Sequence, residues 1–103
     1  MEESWSSSVE GDLWSIAVKT PRLDAKAAAA LKIQLPSEVG PTVRRAEVDL
    51  EGVGFIDSSG VGVLLSIYRK LPSEGAQVVL RNLEPGVRST LELLRLHRVF
   101  LLA

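Results

Sequence analysis

AEVDLEGVGFIDSSGVGVLLSIYRK, residues 46–70, changes its hydrophobic period part-way along, and that change decides the fold. Ala46, Val48 and Leu50 alternate with Glu47, Asp49 and Glu51, the two-residue period of a strand with one face buried. Gly52 and Gly54 loosen this strand before Phe55 and Ile56 close it. From Ser59 to Leu71 the apolar spacing is helical. Val61, Leu64, Leu65 and Tyr68 fall on one side, and Arg69 and Lys70 lie near the C-terminal end, where cations favour the helix dipole. Pro72 and Gly75 end that helix. The segment predicts a strand, a tight junction at FIDSSG (55–60) and an apolar helix.

Upstream, Gly11-Asp12 reads as the turn of a hairpin, with glycine supplying a positive φ. A Ser-rich segment, Trp5 to Glu10, leads in, and Leu13 to Thr20 leads out with Trp14, Ile16 and Val18 on one face. Serines suit a short strand near an edge. After Pro21, Asp24 is placed to cap a helix whose Ala-rich body has high helix propensity and whose Leu31 and Leu35 lie four apart. Pro36 stops or kinks it, and Ser37 to Val43 form a loop with Gly40-Pro41 as its breaker. Downstream, AQVVLRN (76–82) is a β-branched run that suits a buried strand. Pro85 stands near the N1 position of a last helix with Val87, Leu91 and Leu94 on its inward stripe. Arg98 to Leu102 reads as a final short strand. The predicted order is β-β-α-β-α-β-α-β. It implies an α/β fold: a mixed, largely parallel sheet of four to five strands, with helices packed against it and an antiparallel hairpin at the start.

Composition narrows the function. The 103 residues suffice for one hydrophobic core, so residues 1–103 are expected to form a single domain. The 46% hydrophobic and 24% charged shares are those of a globular protein. Net charge is −1 and the 12 Lys and Arg are scattered, which argues against nucleic acid as a partner. There is no cysteine, hence no disulfide and no thiolate chemistry, and one His cannot build a histidine metal cluster. No cofactor is expected. The opening ten residues lack a basic and an apolar signal region, and no apolar run approaches the ~20 residues that span a bilayer. A cytoplasmic location without direct membrane insertion is the expectation.

FIDSSG has two readings. In one, Asp57, Ser58 and Ser59 only cap a helix, for about 0.5–2 kcal/mol. In the other, the junction is functional: it sits at the carboxyl end of a parallel strand, where open α/β sheets expose binding loops, and Gly60 leaves room for close approach. Free amides at the helix start favour a phosphate on Ser58, while Asp57 beside it repels one. Catalysis by these serines is weakly supported, because a nucleophilic serine needs a base and His97 lies near the far end of the chain. The spaced glycines and lysine of a P-loop are missing, and GxGxxG is absent. Trp5 and Trp14 read as packing residues, and His97 as a cap or solvent residue.

The run AEVDLEGVGFIDSSGVGVLLSIYRKLPSEGAQVVLRN resembles the signature of STAS domains, named for sulfate transporters and anti-sigma factor antagonists. RLDAKAAAALK resembles the family's first-helix opening, and EPGVRSTLELLRLHRVF its last helix and following strand. Pro21 and Pro36 depart from the usual pattern around the first helix. The resemblance implies a non-enzymatic anti-sigma factor antagonist working by partner switching. It implies that Ser58, with Ser59 as runner-up, is phosphorylated by a cognate serine kinase of the histidine-kinase-like ATPase fold that doubles as the anti-sigma factor. The unphosphorylated form would bind that kinase and free its sigma factor, and a serine phosphatase would reset the switch. Asp24, Asp57, Ser59, Gly60 and Val61 would shape the turn and meet the partner. The alternative is a STAS subunit that binds an ABC-type lipid transport ATPase without phosphorylation.

Overall fold

The computed structural model describes residues 5–36, 39–72 and 76–103. A hairpin of β1 (Trp5–Glu10) and β2 (Leu13–Val18) opens the chain, and Gly11 takes φ +62° at its turn. β3 (Arg22–Leu23) leads into α1 (Ala25–Gln34), and β4 (Arg45–Asp49) comes next. β5 (Phe55–Ile56) leads into α2 (Ser58–Lys70), then come β6 (Gln77–Arg81) and α3 (Pro85–Leu93). A 3₁₀ turn at Leu96–Arg98 feeds β7 (Leu101–Leu102). The main sheet has five strands in the order β1-β2-β4-β6-β7; β1 and β2 are antiparallel and every other pairing is parallel.

The expected α/β sheet with its opening hairpin is present, and the structure adds two short strands. The run 46–56 is not one strand: it breaks after Asp49, where Gly52 at φ +85° turns the chain and the Val53 amide donates to the Leu50 carbonyl at 3.0 Å. Its second part, β5, leaves the main sheet and pairs with β3 in a separate two-stranded ribbon. Pro36 does end the first helix, which stops at Gln34 with Leu35 as its C-cap. Ser37 and Gly75, expected in a loop and at a helix end, lie outside the described residues.

The alternation expected of β2 and β4 holds. Trp14, Ile16, Val18, Ala46 and Val48 join one buried cluster with Ala28 and Leu31 of α1, Val63, Leu64 and Ile67 of α2, and Val87 and Leu91 of α3. All three helices therefore cover one face of the sheet, and the 19 Å short dimension is that of one sheet and one helix layer. The other face is polar. There Glu47 pairs with Arg45 at 2.8 Å and Arg81 at 3.0 Å, and Asp49 accepts from Asn82 at 3.0 Å. Both tryptophans pack: Trp14 is fully buried, and Trp5 donates from Nε1 to Gln34 Oε1 at 2.8 Å, tying β1 to α1.

Two helix stripes differ from the sequence reading. On α2 the buried positions are Gly60, Val61, Val63, Leu64 and Ile67, while Tyr68 is 44% exposed. The burial phase is set by Gly60, which brings the helix start against β3. On α3, Leu94 lies past the helix end and is 55% exposed, because the chain turns left-handed at Arg95.

Candidate functional site

The ribbon sets two helix starts side by side. β3 and β5 are parallel with Arg22 opposite Phe55 and Leu23 opposite Ile56, so Asp24 and Asp57 come at equivalent places and begin α1 and α2. Each Asp has the extended backbone of an N-cap. Asp57 Oδ1 accepts from the Ser59 amide at 2.9 Å and the Gly60 amide at 3.1 Å, and its carbonyl accepts from the Val61 amide at 3.0 Å. Asp24 Oδ1 accepts from Ala27 at 3.2 Å, and Arg22 Nε lies 3.7 Å from its other oxygen.

Asp57 alone is the cap. Ser58, the first helical residue, is exposed, and neither its hydroxyl nor that of Ser59 makes a hydrogen bond with another described residue. Since two first-turn amides are already bound to Asp57, a group added to Ser58 meets a carboxylate at its side and few unengaged donors.

Gly60 and Val61 lie beneath this surface, not on it. Gly60 is buried, and a β-carbon there would fall on the Leu23 carbonyl oxygen and 2.7 Å from Ile56 Cγ1. The close approach its glycine allows is that of the protein's own β3, which corrects the expectation of room for a ligand. Val61 is 9% exposed and packs in the core. Neither offers side-chain area to a partner; both hold the turn from inside. Asp24, Asp57 and Ser59 are half-buried at the rim, and Ser58 projects from it.

Two rim residues escaped the sequence reading. Phe55 is 38% exposed, and the Arg22 guanidinium carbon stands 4.0 Å from its ring centroid, a cation–π stack across the ribbon. The matching triplets RLD (22–24) and FID (55–57), each ahead of a helix, were the signal that pairs them. Beside the rim a shallow groove of about 360 Å³ runs along Pro21, Arg22, Asp24, Lys26 and Ala30. His97 is remote from the serines; it lines a different groove with Tyr68 and Leu101. No group of three or more His, Asp or Glu among the described residues is arranged to hold a metal.

The model of the family described as "Mlab, STAS domain" matches residues 20–103. The chain belongs to the STAS domain family. A STAS-domain containing protein of Pseudomonas aeruginosa is 37% identical over 62 residues, 60% of this chain and 61% of that protein. The chain thus aligns with under two thirds of the length of this curated relative. Among solved structures, the unphosphorylated form of the anti-sigma factor antagonist SpoIIAA superposes with a TM-score of 0.72 at 23% identity, covering 96% of this chain and 87% of the other. The phosphorylated form of SpoIIAA, the Bacillus cell fate determinant, gives 0.64 at 22% identity, covering 96% and 90%. An anti-sigma factor antagonist from Mycobacterium paratuberculosis gives 0.58 at 23% identity, covering 96% and 85%. At these identities the superpositions establish the STAS fold.

Proposed function

We propose that this STAS domain is an anti-sigma factor antagonist, a protein-binding module whose contact surface is the rim of Arg22, Asp24, Phe55, Asp57, Ser58 and Ser59, switched by a phosphate on Ser58. The observation that carries this reading is the division of labour at the α2 start: Asp57 caps the helix, and Ser58 is left exposed with its hydroxyl uncommitted. A serine so placed accepts a phosphate without loss of a structural hydrogen bond. The added ~ −1.5 to −2 charges stand beside Asp57, so the surface changes from hydroxyl-bearing to strongly anionic while the fold is kept. The partner that this reading implies is an anti-sigma factor with serine kinase activity, opposed by a phosphatase.

A second reading, a subunit that binds a transport ATPase through the same rim with no phosphate, draws support from the matched family, whose description does not refer to sigma factors. Immobilised wild type and Ser58→Asp, each exposed to extract of the native cells, separate the two. Recovery of a kinase of the histidine-kinase-like ATPase fold by wild type, reduced at least about tenfold (roughly 1.4 kcal/mol) by Ser58→Asp, is the expected result. Recovery of a transport ATPase equally by both proteins would replace the switch with the assembly reading.

A further inference from the structure

The C-terminal ends of α2 and α3 and the turn into β7 present a second surface, distinct in composition from the rim. A groove of about 240 Å³ runs between Tyr68 of α2 and His97, Arg98, Val99 and Leu101. Large apolar side chains stand exposed along it and at the adjoining end of α3: Leu93 at 83%, Leu94 at 55%, Leu101 at 53% and Val99 at 37%. Arg95, His97 and Arg98 alternate with them along the chain, Arg69 and Lys70 follow Tyr68 on α2, and the stretch LLRLHRVFLL (93–102) holds no acid; Glu92 is the nearest to it in sequence.

The side chains of Arg69, Lys70, Arg95 and Arg98, like those of Lys19, Lys26 and Lys32, have no hydrogen bond or ion pair with another described residue, whereas Arg22, Arg45 and Arg81 stand against Asp24 or Glu47. Arg95 also holds a left-handed backbone, φ +59° and ψ 28°, just past the end of α3, where glycine is the favoured residue. Arg95 thus closes α3 in a conformation that glycine adopts more easily, and its side chain stands exposed in a stretch of exposed leucines.

We infer that this corner seats the domain on an anionic lipid surface. Protruding leucines and an aromatic ring enter the headgroup layer while arginine and lysine heads meet lipid phosphates. Protein interfaces carry about one hydrogen bond per 100–200 Å². Among the described residues, Gln77 is the only uncharged amide or aliphatic hydroxyl residue lining the groove, so charge and apolarity dominate this corner. Among the described residues no helix is long and apolar enough to cross a membrane, so the contact is peripheral and reversible.

Cosedimentation of the full chain with phosphatidylcholine vesicles, alone or with about 30% phosphatidylglycerol, tests the inference. Binding is expected to the anionic vesicles only, and to fall at least about tenfold between roughly 0.05 and 0.5 M salt. Arg95→Glu with Arg98→Glu, and separately Leu93→Ser with Leu94→Ser, each reduce it about tenfold or more. Lys19→Glu, which changes one exposed charge at the end of β2, reduces it less than about twofold. Arg95→Gly melts no lower than wild type yet binds anionic vesicles more weakly, which a structural role for Arg95 does not produce. Equal binding to both vesicle types, no binding to either, or undiminished binding by the Arg95→Glu/Arg98→Glu protein overturns the inference. Binding of a soluble Glu/Leu peptide with no vesicle binding also overturns it, and assigns the corner to an acidic protein.

Discussion

At the start of α1, Asp24 takes one amide with one oxygen and stands 3.7 Å from Arg22 with the other; at the start of α2, Asp57 takes two amides with a single oxygen. Both junctions succeed paired strands of the same ribbon in the same register. The three residues after each Asp differ: Ala25-Lys26-Ala27 at one, Ser58-Ser59-Gly60 at the other. The first junction is methyl-lined and needs no close approach. The second carries two exposed or half-exposed hydroxyls and a buried glycine that lets α2 start hard against β3. One local architecture thus serves as an unmodified part of the rim in one copy and as a candidate switch in the other, and the difference lies in the three residues after each Asp.

Substitutions at the two junctions test that comparison. Gly60→Ala has the largest expected effect, since its β-carbon would fall on the Leu23 carbonyl oxygen, a backbone atom, and 2.7 Å from Ile56 Cγ1, so that the helix start and β3 must shift apart. A loss of about 3 kcal/mol is predicted by denaturant melts, and a loss under about 1 kcal/mol would mean that the helix start is not seated on β3. Asp57→Ala removes the acceptor of two first-turn amides and should cost about 1–2 kcal/mol. Asp24→Ala removes one such bond and a long, partly exposed ion pair, and should cost about 0.5–1 kcal/mol. If Asp24→Ala proves the costlier of the two, the ranking of the junctions is reversed. Ser58→Ala comes last, within about 0.5 kcal/mol of wild type in thermal or chemical melts, because the side chain is exposed and its hydroxyl bonds to no other described residue.

The same contrast marks what was legible in the sequence. β2 and β4 could be read because five or six residues of alternation record which face is buried, and Trp14, Ile16, Val18, Ala46 and Val48 are buried as expected. Asp24 and Asp57 could be read because a cap acts on its own next residues. β3 and β5 could not: two residues hold no period, and their pairing joins Arg22 to Phe55 across 33 positions of chain. The α2 stripe was displaced for a related reason. A glycine counts as nothing in a hydrophobic pattern, yet Gly60 lies buried against β3, where a β-carbon would fall on the Leu23 carbonyl oxygen, and so helps set which side faces inward. Leu94 was assigned to the α3 stripe because the left-handed turn at Arg95 has no glycine to announce it. The serine site was legible as a motif, while its layering, with Ser58 outside and Gly60 and Val61 inside, required the fold.

A switch written on Ser58, and not on its neighbour, is open to direct chemical test. Intact mass and fragment mapping would be applied to the protein recovered from its native cells, beside the Ser58→Ala variant. The expected result is a fraction carrying one phosphate, about 80 Da of added mass, localised to Ser58 and absent from the variant. Phosphate mapped to Ser59, or none on either serine in any growth condition, would contradict the assignment.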